Sequence, residues 1–195
     1  MATTPPRVSE AAVDPQFLDR WSPRAFSPEP LADPDILALL EAARWAPSSF
    51  NEQPWLLVFA HQEEDLRKFR PLMLDQNRQW ADQAPLLVVI FARRHFSHNG
   101  QPNRHYMFDA GAAWMSLALQ ARKLGLYAHA MAGFHQDQAY EILHVPADRY
   151  EAICVVAVGR HGDVGRLPPA LAAREAPGPR KPLSELAYEG VYRPQ

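Results

Sequence analysis

Leu86-Leu87-Val88-Val89-Ile90-Phe91-Ala92 is an unbroken apolar run. It is far shorter than the ~20 residues that cross a bilayer, and its β-branched content favours a strand. No position in it is polar. Such a strand has no solvent face, so the spacing predicts a sheet covered on both sides. Trp55-Leu56-Leu57-Val58-Phe59-Ala60 reads as a second buried strand. A short strand is predicted near Tyr127–Met131 and a further strand near 151–158.

Helical patterns separate these strands. Asp33-Pro34 gives an N-cap with proline at the first helical position, and Ile36, Leu37, Leu40 and Ala43 then recur at helical spacing to about Trp45. Asp14-Pro15 gives the same signal for a short helix through Leu18. Further helical patterns cover about 63–70, 71–82, 105–124 and 135–143, with Gly125 capping the long one. Strands and helices alternate, so one sheet in an α/β or α+β fold is the natural reading. Residues 1–12 read as a mobile N-terminal tail. Residues 13–195 read as one domain that includes a C-terminal arm, 166–195, with at most a short helix at 183–187.

Composition narrows the function classes. The chain has 195 residues, 47% of them hydrophobic and 22% charged, as in an ordinary globular domain. Its 20 basic and 22 acidic side chains nearly cancel, which gives no electrostatic case for nucleic acid or an anionic membrane. One cysteine, Cys154, excludes an internal disulfide framework and a multi-thiolate metal site within one chain. Residues 1–16 lack the basic start and apolar core of a signal peptide, so a cytoplasmic protein is expected. There are 19 prolines where about 10 are usual, and they gather near the two ends. Extended arms of this kind cost entropy to order unless they lie on a surface, which makes a partner subunit plausible.

Most candidate chemistries have a plainer reading. Gly159-Arg160-His161-Gly162-Asp163-Val164-Gly165 follows a strand, but Leu167-Pro168-Pro169 does not open a helix where a phosphate cradle needs one. A turn is the better reading. His95, His98 and His105 lie close in sequence without metal-site spacing, so no metal is expected. Ser48 and Ser49 lack a nucleophile-elbow context. Cys154 lies in an apolar strand and reads as an inert thiol. Two polar loops are more informative. Arg20, Ser22 and Arg24 alternate in a helix-breaking stretch, and two guanidinium groups with a hydroxyl suit a phosphate. Arg180 in the arm is a third such cation. Ser48, Ser49, Asn51 and Gln53 set donors and acceptors between Trp45, Phe50 and Trp55, which suits a flat heterocycle with a polar edge.

At these residues the chain resembles the nitroreductase family of FMN-dependent flavoproteins, over about 15–190. The segment Arg20-Trp21-Ser22-Pro23-Arg24-Ala25-Phe26 is similar to the family's opening, and Ala46-Pro47-Ser48-Ser49-Phe50-Asn51-Glu52-Gln53-Pro54-Trp55 to its polar loop. Asn77-Arg78-Gln79-Trp80, Asp109-Ala110-Gly111-Ala112-Ala113, Gly133-Phe134 and the tail from Arg180 to Leu186 follow in the family's order. The resemblance implies an α+β fold with an α/β-like three-layer build: a central, mainly antiparallel mixed sheet flanked by helices, in a homodimer with an extended C-terminal arm. It implies FMN at the subunit interface. Arg20, Trp21, Ser22 and Arg24 would hold the phosphate end with Arg180. Pro47, Ser48, Ser49 and Asn51 would reach the flavin from the partner chain. Asn77 would meet the pyrimidine edge, Trp80 would lie near the ring, and the backbone of Ala132 and Gly133 would approach N5 and O4. Trp80 and Gly178 stand where some relatives have Lys. The implied activity is hydride transfer from NADH or NADPH, through the flavin, to a small-molecule electron acceptor such as a nitro compound or quinone, in ping-pong order. No catalytic side chain is expected, because the cofactor carries the chemistry. A flavin sensor or store, or a member specialised for dehydrogenation, dehalogenation or flavin fragmentation, stays open.

Overall fold

A computed structural model describes residues 7–193. Four strands form one sheet: β1 (Trp55–Ala60), β2 (Leu86–Arg93), β3 (Tyr127–Met131) and β4 (Tyr150–Gly159), in the order β1-β2-β4-β3. Every pairing among the described residues is antiparallel. The apolar run Leu86 to Ala92 is central to the sheet, and all of it is essentially inaccessible. Alternation along β2 splits the core in two. Leu87, Val89 and Phe91 face a cluster built from Phe26, Leu66, Phe69, Leu72, Trp80 and Phe134. Leu86, Val88, Ile90 and Ala92 face Leu39, Ala43, Ala113, Leu117 and Ala121. Helices α2 (Asp33–Arg44) and α5 (Tyr106–Lys123) cover this second face. On the first face lie α3 (Glu63–Phe69), α4 (Asp75–Ala81) and α6 (Gln136–Ile142), which completes three layers.

Local chemistry sets several boundaries. Before α1 (Gln16–Asp19), the Asp14 carboxylate accepts from the Gln16 amide at 2.9 Å. At α2 the expected N-cap is displaced by one residue: Asp33 is already helical and Ala32 occupies the cap without a side-chain bond. The helix expected over 71–82 begins only at Asp75. Residues Arg70–Leu72 form a tight turn, and Met73 bridges to Phe134 instead. Pro169–Ala172 forms a short helix, α7, inside the arm, where none is expected. Its proline sits at the first helical position, a tolerated place for a residue with no amide hydrogen.

Between Ile90 and Phe91 the register against β4 slips by one. This bulge lets the consecutive residues Ile153 and Cys154 pack on the same core cluster, which strict alternation forbids. Of the expected tail, residues 1–6 lie outside the described residues. Residues 7–12 carry no helix or strand, yet Glu10 accepts from the Leu183 amide at 3.0 Å and so meets the arm.

Candidate functional site

Three groups of polar residues surround the sheet. The first is built on the segment 20–26, which Pro23 keeps non-helical. Phe26 anchors it by bridging to His161, and Gly162 donates to the Ala25 carbonyl at 2.8 Å. A side chain at Gly162 would come within 2.6 Å of the Phe26 backbone. The glycine-rich loop after β4 is therefore a seat for this segment, and a tight turn, not a helix of any length, follows it at Val164–Arg166.

Glu175 fastens the same segment from the arm. Its side chain is wholly buried, and Oε1 accepts from the amides of Arg24 at 2.7 Å and Ala25 at 2.8 Å. His161 approaches the same oxygen at 3.4 Å, while Oε2 has no partner among the described residues. His129 supports the segment from beneath, its Nδ1 lying 2.8 Å from the Pro23 carbonyl. Nδ1 therefore carries a proton and donates. Burial pushes the His129 pKa down, more than that hydrogen bond raises it, so the ring is held neutral.

Arg20, Ser22 and Arg180 meet at one cavity of about 440 Å³, shared with Phe17, Trp114, Met115 and Ala130. Arg20 Nη1 lies 3.4 Å from Ser22 Oγ. Burial lowers the Arg20 pKa, and the positive charges of Arg180 and Arg7 lower it further. Among the described residues, Arg20, Arg24 and Arg180 form no ion pair with any carboxylate. Arg24 instead lies 5.9 Å above the Trp80 ring. Trp80 is 3% exposed and packs between Phe26 and His129. Trp21 sits edge-on to Tyr127 at 5.9 Å and beside His161 at 5.6 Å.

The second group joins α4 to the loop after β3. Asn77 Nδ2 donates to the Gly133 carbonyl at 2.8 Å, and the Leu74 amide donates to the same oxygen at 3.1 Å. A Cβ at Gly133 would lie 2.8 Å from Asn77 Nδ2, so a larger residue there would push Asn77 off the Gly133 carbonyl. Ala132, beside it, is exposed.

The third group is the loop between α2 and β1. Pro47, Ser48 and Ser49 line a second cavity, about 180 Å³, with His105, Phe108 and Asp109. Asp109 is buried, and its Oδ2 accepts from the Ser49 amide at 3.2 Å. Ser48 Oγ accepts from the Gln53 amide at 2.9 Å. Glu52 is buried too: it accepts from the Ser97 amide at 2.8 Å and hydroxyl at 3.1 Å, and pairs with Arg93 at 3.2 Å. Those contacts hold its carboxyl below the usual range against the opposing effect of burial. Phe50, Asn51 and Gln53 all have positive φ, and Phe50 and Asn51 are exposed.

The model of the nitroreductase family matches residues 18–80 and 75–160 of the chain, which take in the arginine segment 20–26, Asn77 and Gly133, and the loop between α2 and β1. This chain belongs to the nitroreductase family. A crystal structure described as an oxidoreductase containing FMN is 44% identical, covers 100% of both chains and superposes with a TM-score of 0.94. A nitroreductase family protein from Clostridium difficile is 22% identical over 89% of this chain and 95% of its own, with a TM-score of 0.69. A Streptomyces coelicolor protein named "Putative NADH dehydrogenase/NAD(P)H nitroreductase" is 28% identical over 93% of this chain and 94% of its own.

Within this family member, the sequence-derived site residues are gathered unevenly. Arg20, Ser22 and Arg180 share a cavity; Asn77 and Gly133 touch; Pro47, Ser48 and Ser49 line a separate hollow with Asn51 on the same loop. Trp80 packs beneath Arg24 and against His129, and Trp21 packs edge-on to Tyr127 beside the arginine segment. Glu175, Asp109 and Glu52 are buried carboxylates that sequence reasoning passed over. Asp109 carried a signal, since it interrupts the apolar face of α5. Glu175 carried none, because the arm around it has no periodicity.

Proposed function

We propose that the chain is an FMN-dependent oxidoreductase that passes hydride from NADH or NADPH to a small electrophile, a nitro compound or quinone, with the two substrates taking turns. The observation that carries this reading is the cavity where Arg20, Ser22 and Arg180 converge without a carboxylate to neutralise them. Unpaired guanidinium groups in a partly buried site fit a phosphate monoester, and charge-assisted bonds to it are the strong kind. The donor set therefore suits the phosphate end of FMN. Bound FMN supplies the two-electron chemistry. Arg20, Ser22, Arg24 and Arg180 hold its phosphate end, and Trp80 keeps Arg24 in place from below. Asn77 and the Gly133 backbone, fixed on one another, present polar groups to the heterocycle. Pro47, Ser48, Ser49 and Asn51 complete the site from a second copy of the chain.

A homodimer is supported by the arm, where Leu183, Leu186, Val191 and Tyr192 are exposed apolar groups in need of cover. No helix among the described residues is long and apolar enough to cross a membrane.

Purified protein should be yellow, and heat should release FMN identifiable by chromatography. Anaerobic addition of NADH or NADPH should bleach the bound flavin, and a quinone should restore its colour. Recovery of FAD alone, or no binding of added FMN, overturns the reading. Flavin that neither nicotinamide bleaches points to a sensor or store. Light scattering should give twice the 22.0 kDa chain mass; a stable monomer at micromolar concentration removes the proposed shared site.

A further inference from the structure

Arg7 lies outside every motif that marks the site, yet its guanidinium is held at the junction of two of them. Nη1 donates to the carbonyls of Leu18 at 2.8 Å and Arg20 at 2.7 Å, and Nε donates to the carbonyl of Gly178 at 3.0 Å. Gly178 has no side chain, and a Cβ there would meet nothing within 4 Å, so the ground beside it is open. A guanidinium has five N–H groups, and these contacts use three. Nη2 donates to no protein acceptor among the described residues, and no carboxylate pairs with Arg7. The tail thus places a third cation next to Arg20 and Arg180. Three guanidinium groups brought together repel one another, and burial adds to the cost. The Arg7 pKa is lowered first by burial and then by Arg180. An arrangement of this kind is relieved by an anion that all three can share.

We propose that Arg7 is a phosphate-anchoring residue, placed by its three carbonyl contacts to add positive charge where the arm offers only Gly178. The inference rests on the FMN reading above and extends it to a residue of the N-terminal tail. The carbonyl contacts position the group; Arg7 lines the adjoining cavity, which shares Arg180 with the one that Arg20 and Ser22 line, so it acts on the phosphate through its charge.

FMN and riboflavin differ by that phosphate alone, so the pair separates anchoring from general support. Flavin-fluorescence quenching titrations of apo-protein give both affinities. Arg7→Ala should weaken FMN binding about 10-fold, the loss of one neighbouring positive charge, and riboflavin binding less than about 2-fold. It should also flatten the dependence of FMN affinity on salt. Arg7→Lys, which keeps the charge but not the fork, should fall between Arg7→Ala and the wild type. Equal weakening of both flavins, or unchanged FMN affinity in both variants, overturns the proposal. Arg20→Ala is the control for the cofactor reading. If it too leaves the preference for FMN over riboflavin intact, the phosphate site itself is misplaced. Should Arg7→Ala fail to fold, Arg7→Lys still decides.

Discussion

Replacing Glu175 with Ala should be among the more damaging single changes in the arm. Glu175 Oε1 is the acceptor for the Arg24 and Ala25 amides. Ala25 is buried, so water reaches its amide poorly once the acceptor is gone. An orphaned buried donor costs about 1–3 kcal/mol, and two are at stake. Part of this is recovered, because Glu175 Oε2 is itself buried without a partner and its desolvation cost disappears with the side chain. A net loss of about 2–4 kcal/mol follows. For a chain of this length each kcal/mol lowers the melting temperature by about 2–4 °C, so a fall of about 4–16 °C is expected. Glu175→Gln keeps one carbonyl oxygen for the two amides and should fall by no more than about 4 °C. Circular dichroism melts of the apo-proteins at fixed salt measure both. A Glu175→Ala melt within about 2 °C of the wild type, or a Glu175→Gln variant as unstable as Glu175→Ala, would refute the argument that this carboxylate holds the arginine segment.

His129 predicts a pH effect. Its pKa is below 6.5 in the fold and about 6.5 unfolded. The unfolded state therefore binds more protons as pH drops, and stability is lost from about pH 7 downward until the folded value is passed. His129→Gln should flatten the fall in urea-unfolding free energy between pH 7.5 and 5.5, and equal slopes would contradict it. Gly133→Ala should cost about 1–3 kcal/mol through overpacking against Asn77. In an Asn77→Ala background the penalty should shrink, and a double-mutant cycle without coupling would locate the clash elsewhere. Burial in β4 pushes the Cys154 thiol up to about 12, so iodoacetamide at pH 8 should leave the native protein unlabelled. Cys154→Ala should cost about 1 kcal/mol and leave flavin content unchanged; rapid labelling or loss of flavin would show the thiol is not inert.

The fold was legible where apolar pattern and burial coincide. β2 is apolar at every position because both its faces are covered, and α5 follows its periodicity; in α2, by contrast, Leu37 of the expected stripe is exposed and Leu39 takes its place in the core, because a run of leucines leaves the buried face ambiguous. The bulge at Ile90/Phe91 was not legible, since one extra residue in an apolar strand leaves the composition unchanged. The start of α4 was misjudged because Met73 answers to a distant partner, Phe134, and local pattern is blind to that. Of the expected site residues, Arg20, Ser22 and Arg180 stand out in the sequence by type, and the fold brings them to one cavity. The burial of Trp80 under Arg24 was not legible, because it depends on Phe26 and His129, which are distant in sequence. Glu175 and Arg7 act across 151 and 171 residues of chain, a separation at which sequence carries no signal without the fold.

The loop that carries Ser48 and Ser49 holds Phe50, Asn51 and Gln53 in left-handed backbone. Asparagine tolerates that region, but phenylalanine and glutamine resist it, at about 1–3 kcal/mol each. Glycine would hold the same curve without strain, so a designer seeking heat resistance would place it at 50 and 53. The native chain forgoes that gain. Phe50 is 84% exposed and stands at a right angle to Phe96, 5.8 Å away. A strained residue whose ring is spread toward solvent contributes little to the monomer that bears the strain. In the proposed homodimer the shape it imposes would meet the second copy of the chain, and a thermostabilised Phe50→Gly variant would be the form in which that fit is lost first.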